Sequence, residues 1–351
     1  MGCYKNIMDA LINSEQHIAD DFEISIVIPV HNGGEYLKDF FKTIYNQTLQ
    51  PTEILILENG STDGTVNWLK SLNDPRIKIF PTDLLLPIEK NWDRIKTVPR
   101  KKWMFMSGHD DLIKSTFIET IRNLTEKYPD ASLYQTHFDI IDENGAVRSD
   151  CDPMPERQTM PEFFENTLNN GGGFVVRSAD YDKVGGIPMY PGFFFTDFAL
   201  WMKLTALSYK ATAPENLFSY RHHQKNTSSN SSVINFSNGL EAFLDYLYEL
   251  KQTDETFRKT LNTHGKKLVE LYVRSLSHRL LRENIKKRNN YTVRQLVDKF
   301  EAHLNRLTDD ASNNLSSDTT VKMALIIDSN NLTRKLFLLF KKLFPKPVFK
   351  N

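Results

Sequence analysis

The sequence predicts an α/β fold with a mostly parallel, mixed sheet flanked by helices, followed by a helical C-terminal region. From residue 24 to about 112, short apolar runs alternate with segments of helical period, which is typical of βαβ units. Asn144-Gly145 is a hairpin signal, so antiparallel strands should follow the parallel part. Of the 15 glycines and 15 prolines, only Gly239, Gly265, Pro345 and Pro347 lie beyond residue 231, where apolar residues have helical spacing.

These observations divide the chain into three segments. We predict an N-terminal helical extension over residues 1–21, an α/β domain over 22–230, and a helical region over 231–351 that ends in a basic, apolar tail. The Ser/Asn-rich run Thr227–Ser232 is the predicted linker. A length of 351 residues fits two domains.

The first half of the α/β domain contains four predicted strands and three predicted helices. The strands are short apolar runs that end at turn residues: Ile24–Val30, Glu53–Leu57, Arg76–Phe80 and Trp103–Ser107. The predicted helices are Gly34–Gln47, Asp63–Leu72 and Ile88–Val98. In the first of them, Tyr36, Phe40, Phe41 and Ile44 form an apolar face of helical period. In the C-terminal region, Thr292 and Gln295 have the spacing of a capping box, which predicts a helix start.

The composition argues against several classes of protein. Lys+Arg and Asp+Glu are balanced at 44 each, whereas a dedicated nucleic-acid binder carries a basic surplus, so we expect no nucleic-acid partner. Cys3 and Cys151 are too few for a disulfide framework or a cysteine metal cluster, and they fit a reducing compartment. The N-terminus lacks a signal-peptide pattern and no apolar stretch is long enough to span a membrane. We therefore expect a cytoplasmic protein.

Acidic and polar residues follow the second and fourth predicted strands. Glu58 and Asn59 end one strand, and His109-Asp110-Asp111 follows the other. The carboxyl ends of strands line the ligand crevice of an α/β sheet, and hard cations prefer carboxylate oxygens. Such an edge could bind a nucleotide and a divalent cation, with Glu58 or Asn59 reading a pyrimidine.

Local structural roles would explain some of the same residues. Ser61 or Thr62 could cap the next helix, with Asp63 near its positive end. Asp111 could cap a helix beginning near Ile113, in which case Asp110 would bind the metal. The turn after the first strand, with Pro29, Val30 and Asn32, could be an ordinary β-to-α connection.

Taken together, the motifs Ile-Pro-Val-His-Asn, Glu-Asn-Gly-Ser-Thr-Asp and Gly-His-Asp-Asp resemble those of the family 2 nucleotide-sugar glycosyltransferases, which have the Rossmann-like GT-A fold. Members usually show Val-Pro-x-Tyr-Asn, Asp-Asp-Gly-Ser-Thr-Asp and Asp-x-Asp-Asp. The resemblance covers about residues 24–228, and the segments Val184–Trp201 and Tyr220–Ser228 extend it. Two departures are Gly108, where the first Asp of Asp-x-Asp usually stands, and Asn59, where many members carry a base-reading Asp.

The resemblance implies roles for individual residues. The catalytic base would be Asp197, and the ligands of Mn²⁺ or Mg²⁺ would be Asp110, Asp111 and His223. The implied donor-binding residues are Pro29, Val30, Asn32, Glu58, Asn59, Asp63, Lys90, Asn91, His109, Asp110 and Arg221.

The implied activity is inverting transfer of a sugar from a nucleotide diphosphate sugar. UDP is the expected nucleotide, and the acceptor would be a hydroxyl of a glycan or lipid-linked molecule in polysaccharide biosynthesis. Two alternatives remain open. One is a catalytically silent nucleotide-sugar-binding or scaffold protein, which Gly108 makes conceivable. The other is a sugar nucleotidyltransferase, although the turn after the first strand lacks the Arg-containing, glycine-rich loop of that class.

The C-terminal tail, from about Arg334 to Lys350, interleaves basic and apolar residues. Such a segment suits an anionic membrane surface, so the protein could bind peripherally to the inner face of the plasma membrane. The alternative is a helix that docks on the protein's own core.

Overall fold

The chain folds around a single sheet of ten strands. The structure is a computed structural model that describes residues 22–165, 172–224, 226, 231–284, 286–310 and 313–344. The predicted N-terminal extension, residues 1–21, lies outside them. The strands are β1 Ile24–Val30, β2 Glu53–Glu58, β3 Ile77–Phe80, β4 Trp103–Met106, β5 Leu112–Ile113, β6 Leu133–Ile141, β7 Val147–Asp150, β8 Arg157–Gln158, β9 Phe174–Arg177 and β10 Lys210–Arg221.

The strand order is β3-β2-β1-β4-β9-β6-β10-β5, with β7 on β6 and β8 on β10. The strands β3, β2, β1 and β4 run parallel, as do β6 and β10, whereas β9 joins the two groups antiparallel to both neighbours. This arrangement confirms the predicted mixed α/β sheet. The antiparallel pair β6–β7 also confirms the hairpin predicted at Asn144-Gly145.

Burial explains why the strands β1 and β2 could be predicted from the sequence. All seven residues of β1 and all six of β2 are buried, because helices cover both faces of a parallel sheet. On β1, Val27 contributes to one core cluster, while Ile26 and Ile28 point to the other. Side chains alternate between the two faces of a strand, so a strand covered on both sides is apolar throughout.

Twelve α-helices are found in the described part of the chain. They are α1 Gly34–Tyr45, α2 Thr65–Ser71, α3 Ile88–Asp93, α4 Phe117–Lys127, α5 Met160–Glu165, α6 Ser178–Lys183, α7 Thr196–Leu207, α8 Val233–Thr253, α9 Glu255–Arg282, α10 Val293–Leu307, α11 Thr319–Asp328 and α12 Asn331–Leu343. The predicted capping box is present, since Thr292 and Gln295 bond reciprocally at the start of α10.

Two predicted helix caps are wrong. The helix expected near Ile113 begins at Phe117, where no side chain caps it, so Asp111 is not a cap. Similarly, α2 begins at Thr65 after Gly64, whose φ of 88° is left-handed, so neither Ser61 nor Thr62 caps that helix. Both errors arise because these polar residues bond to distant loops instead.

The C-terminal helices share a core with the α/β sheet. The same buried cluster contains Val27 of β1, Phe198 of α7, Phe243 of α8 and Val297 of α10. The ring centroids of Phe198 and Phe243 lie 5.2 Å apart, with the rings nearly perpendicular. The sheet and the C-terminal helices therefore pack around one continuous core, and the boundary near residue 231 stays a prediction.

The last helix, α12, is docked along one side only. Arg334 is 5% exposed, and its guanidinium donates to the carbonyl oxygens of Leu281 and Glu283. The ring of Phe337 packs edge-on against His278. Several large apolar residues at the C-terminal end stay exposed: Met323, Ile326, Leu332, Leu336, Leu339, Phe340, Leu343 and Phe344. Among the described helices, none is long and apolar enough to cross a membrane.

Candidate active site

The turns after β1 and β2 are joined by hydrogen bonds at the carboxyl edge of the sheet. The backbone N–H of Asn32 donates to Ser61 Oγ at 2.9 Å, and the N–H of Thr62 donates to Asn32 Oδ1 at 2.8 Å. Asp63 accepts from the N–H of Gly34 at 3.0 Å. Burial acts to raise the pKa of Asp63, but hydrogen bonds from Thr65 and Gly34 outweigh it and lower the pKa. Asp63 is thus a charged anchor between the two turns.

The side chain of Asn59 is bound to backbone rather than open to a ligand. Its Nδ2 donates to the carbonyl of Leu86 at 3.0 Å, and its Oδ1 accepts from the N–H of Leu86 at 2.9 Å. The neighbouring Glu58 is 3% exposed and accepts from the N–H of Ser61. Leu86 therefore presents to Asn59 the donor and acceptor pair that a uracil edge would offer.

Asn91 and Lys90 lie on α3, beside this turn. Asn91 is buried and donates to the carbonyl of Leu57, whereas Lys90 is exposed. Arg94, which sequence reasoning missed, links Asn91 Oδ1 to the carbonyl of Glu58 through one nitrogen, at 2.8 and 3.0 Å. Its spacing of three residues from Asn91 on a helical segment is the only signal that could have indicated this role.

The loop after β4 carries the densest group of predicted residues. His223 Nε2 lies 2.9 Å from Asp110 Oδ2, which also accepts from Asn226 Nδ2 at 3.2 Å. Asp111 Oδ1 accepts from the N–H of Arg221 at 3.0 Å. Residues about 110 positions apart in sequence are therefore brought together, and His109 adds a hydrogen bond to the backbone of Pro29.

Arg221 is buried next to this loop and donates hydrogen bonds to its backbone. Its side chain is 2% exposed, Nε donates to the carbonyl of Asp110 at 2.8 Å, and Nη1 donates to the carbonyl of Glu143 at 3.0 Å. Its guanidinium also lies 4.9 Å from the ring centre of Tyr36, which in turn packs 4.7 Å from the ring of His223. The sequence indicated Tyr36 only as part of the apolar face of α1.

The two adjacent carboxylates are electrostatically unequal. Burial acts to raise the pKa of Asp110, but the hydrogen bond from His223 and the nearby histidines lower it overall. Burial, and then the charge of Asp110, raise the pKa of Asp111 well above its usual value. Asp110 is therefore the residue of the pair that favours a negative charge, and Asp111 favours a proton.

The donor set beside Gly108 suits a divalent cation that shares its ligands with a substrate. A Cβ on Gly108 would lie 2.6 Å from Asp110 Oδ1 and 3.6 Å from Asp111 Oδ2, so the glycine leaves room beside both carboxylates. The predicted ligands Asp110, Asp111 and His223 do not form a complete three-ligand site, and no such site occurs among the described residues. Mg²⁺ in particular commonly uses one or two carboxylates together with substrate phosphates, and this donor set fits that mode.

Asp197 lies apart from this loop, in the first turn of α7. Its Oδ1 accepts from the N–H of Phe198 at 2.7 Å. Burial raises its pKa, and backbone N–H groups offset only part of that effect. Protein atoms crowd the carboxylate, but the residue as a whole is exposed to solvent, because it faces a cavity of about 290 Å³.

The segment that leads into Asp197 has an unusual backbone. Phe193 and Phe195 both have φ of 63°, in the left-handed region, and Gly192 has φ of 67°. A bulky residue held in this region costs on the order of 1–3 kcal/mol and persists only where the surroundings impose it. Here the ring of Phe195 packs against Tyr272 at 4.8 Å and Phe243 at 6.0 Å.

The cavity is formed where α7 meets α8 and α9. Its lining is aromatic, with one carboxylate, one guanidinium and one serine hydroxyl: Phe194, Phe195, Asp197, Phe198, Trp201, Phe236, Tyr272, Ser275, Leu276 and Arg279. Sequence reasoning selected Asp197 from this set and missed the residues of α8 and α9, because nothing in their helical pattern marks a ligand site.

Residues 25–185 match the family model described as Glycosyl transferase family 2. A glycosyltransferase of Haemophilus influenzae is 24% identical over 224 residues, which cover 59% of this chain and 67% of the relative. An Escherichia coli protein named UDP-Gal:alpha-D-GlcNAc-diphosphoundecaprenol beta-1,3-galactosyltransferase is 19% identical over 191 residues, covering 53% of this chain and 68% of its own length.

The fold is similar to that of a solved crystal structure. The crystal structure of S. aureus TarS 1–349 in complex with UDP-GlcNAc superposes with a TM-score of 0.64 at 12% identity. The match covers 94% of this chain and 99% of the TarS chain. The similarity therefore extends through the C-terminal helices as well as the sheet.

The raised pKa of Asp197 predicts a change in stability with pH. Below the usual pKa of an aspartate, about 3.9, the residue is protonated in both the folded and the unfolded chain. As pH rises from there through the raised folded pKa, the unfolded chain loses this proton before the folded chain does, so the free energy of unfolding falls. Asp197→Asn lacks this loss, but solvent screens the exposed residue, so the variant should melt only slightly above the wild type at pH 7. The difference should shrink as pH falls toward 4.

Melting curves at several pH values measure this difference, and Asp180→Asn is the control because Asp180 also lies in the first turn of a helix. An Asp197→Asn variant that is less stable than the wild type at pH 7 would contradict a raised pKa for Asp197.

Proposed function

We propose that this chain, in which residues 25–185 match the family 2 glycosyltransferase model, transfers a sugar from UDP to a hydroxyl of a glycan or lipid-linked acceptor. The observation that carries the proposal is the meeting of three loops at the carboxyl edge of β1, β2 and β4. Asn32 and Asp63 join the loops after β1 and β2, and a hydrogen bond between His109 and the backbone of Pro29 joins the loop after β4 to β1. The relatives support the choice of donor, since TarS was solved with UDP-GlcNAc and the E. coli protein is named for UDP-Gal.

At the donor end, we propose that the nucleotide lies over the turns after β1 and β2. Asn59 would read the pyrimidine after its contact with Leu86 opens. Lys90 is exposed on α3 and could meet a phosphate as a point charge. Arg221 would act indirectly, because its nitrogens bond to backbone carbonyls and hold the Asp110 loop in place.

The proposed transfer is a single displacement with inversion. Asp197 takes the proton of the acceptor hydroxyl as the acceptor oxygen bonds to the anomeric carbon. The bond from that carbon to the diphosphate oxygen breaks at the same time, and its electron pair leaves with UDP. A base pKa nearer neutrality favours such a proton transfer, and burial moves the pKa of Asp197 in that direction.

A divalent cation, Mn²⁺ or Mg²⁺, would be held by Asp110 and His223 and would neutralise the charge of the departing diphosphate. Asp111 would support the loop through its bond to Arg221. The proposed setting is assembly of a polysaccharide on a lipid carrier, which the name of the E. coli relative supports.

The proposed activity can be tested with a panel of sugar nucleotides. UDP-glucose, UDP-galactose, UDP-GlcNAc and UDP-GalNAc are incubated with the protein and Mn²⁺, and the release of UDP is followed with and without glycan acceptors. Asp197→Asn should bind donor almost normally and transfer about 10²–10⁴-fold more slowly, the usual loss for a general base. Asp180→Asn serves as the control. UDP binding without any release of UDP by the wild type would favour the silent-binding alternative.

Metal dependence should reside at Asp110. Asp110→Asn should lose Mn²⁺-dependent turnover and bind Mn²⁺ more weakly in the presence of UDP, because one of the two proposed protein ligands loses its charge. Circular dichroism would check that the fold persists, and electron paramagnetic resonance would measure bound Mn²⁺. Undiminished activity of the wild type in excess chelator would remove the cation from the mechanism.

We also propose that the exposed face of α12 attaches the enzyme to an anionic membrane surface. Leu339, Phe340 and Leu343 are each more than half exposed, and Lys341 and Lys342 lie between them. Each basic residue near an anionic surface contributes about 1 kcal/mol, and apolar insertion adds to this. The basic residues Lys346 and Lys350 of the predicted tail lie outside the described residues.

Substitutions on α12 test this attachment better than a truncation, which would also remove the docking contacts of Arg334 and Phe337. The double variant Lys341→Glu/Lys342→Glu should stop flotation with phosphatidylglycerol vesicles at low salt and leave the melting temperature unchanged. High salt should release the wild type in the same assay, since surface charge is screened. If the wild-type protein does not bind anionic vesicles at low salt, the proposal is wrong and α12 serves only to pack against the rest of the protein.

A further inference from the structure

We propose that the cavity at Asp197 binds one neutral carbohydrate ring of the acceptor, and that α9 supplies the wall that selects it. The inference rests on the proposed function, which makes Asp197 the base. It extends that function by assigning acceptor choice to helices that lie beyond the segment matched by the family model, residues 25–185.

One face of α9 is turned toward the cavity. Tyr272, Ser275, Leu276 and Arg279 all line it, and their spacing of three, four and seven residues places them on a single helical stripe. Two hydroxyls and a guanidinium thus stand opposite the carboxylate of Asp197. Sugars are recognised through hydroxyl groups, and these side chains are their usual hydrogen-bonding partners.

The size and charge of the cavity limit the ligand. A volume of about 290 Å³ is at the lower end of the range for ligand sites, roughly 300–1,000 Å³, and suits a single ring. Asp197 and Arg279 carry opposite charges, so the lining offers no surplus of positive charge for a phosphate. A neutral hexose or N-acetylhexosamine fits both conditions.

The aromatic residues of the lining argue against a nucleotide base as the ligand. Phe194 stacks on Phe236 with ring centres 3.8 Å apart, and Arg279 lies over Phe236 at 4.1 Å. Trp201 stacks on Phe174, also at 3.8 Å. Much of these ring faces is already covered, so a planar base has little surface on which to stack. A sugar ring, with C–H groups on both faces, can pack against the remaining ring edges.

The same helices hold Asp197 in position. The left-handed residues Phe193 and Phe195 direct the chain into α7, and Phe195 is packed between Tyr272 of α9 and Phe243 of α8. Burial, followed by the negative charge of Asp197, raises the pKa of Tyr272, so its hydroxyl keeps its proton and can donate to a sugar oxygen. The wall that would contact the acceptor therefore also fixes the base.

A filling substitution tests the proposal. Ser275→Phe places a ring in the cavity, and Thr263→Phe is the matched control because Thr263 is exposed on the same helix outside the cavity. Saturation-transfer NMR is run with glucose, galactose, GlcNAc and GalNAc in the presence of saturating UDP and Mn²⁺, so that the donor site is occupied. The wild type and Thr263→Phe should bind at least one of these sugars, and Ser275→Phe should bind it at least tenfold more weakly while its UDP affinity is retained.

Two results would overturn the proposal: binding of the sugar by Ser275→Phe as strongly as by the wild type, or no binding of any sugar in the panel by the wild type. In either case intact UDP binding leaves the proposed donor function standing, whereas loss of UDP binding by the wild type refutes the function itself. Should Ser275→Phe melt early, Tyr272→Phe replaces it, with Tyr248→Phe as control. Tyr272→Phe should weaken sugar binding severalfold, and wild-type affinity in that variant would also overturn the proposal.

Discussion

Two neighbouring aspartates, Asp111 buried and Asp110 partly buried, lie side by side in the loop after β4, and much of the site is arranged to make that possible. Removing a carboxylate from water costs several kcal/mol unless hydrogen bonds or opposite charges compensate. Asp110 is compensated by His223 and Asn226, and Asp111 by the backbone of Arg221. All of these partners lie at or just beyond the end of β10. The pairing of β10 with β6 is therefore a condition for the acidic loop.

This dependence explains where sequence reasoning succeeded. The strands β1, β2 and β4 were predicted to within about a residue because a strand that is covered on both faces must be apolar throughout. The edge strand β3 is only partly buried and was predicted from a short apolar run between turn residues. The motifs at their carboxyl ends then located the loops, since parallel strands in one sheet end at the same edge. The capping box at Thr292 also depends only on neighbouring residues, so the sequence predicted it.

The remaining contacts join residues that are far apart in the sequence, and no local sequence pattern predicts such contacts. Asp111 looked like a helix cap because a suitable helix follows it, but its partner is Arg221, 110 residues away. Asn59 looked like an open base reader, but its amide bonds to Leu86. The wall of the Asp197 cavity could not be predicted because Tyr272 and Ser275 occupy ordinary positions of a long helix, and only the folded chain brings them to the same cavity as Asp197.

The bond between Asn59 and Leu86 also has a consequence for selectivity. A pyrimidine that binds Asn59 must first replace two backbone hydrogen bonds, which together favour the closed contact by about 1–3 kcal/mol, or roughly 5- to 150-fold. The apparent affinity of any such ligand is lowered by the fraction of molecules that are open. A ligand whose edge restores both bonds recovers this loss, whereas one that lacks the donor or the acceptor does not. The backbone of Leu86 thus competes with every nucleobase for the side-chain amide of Asn59.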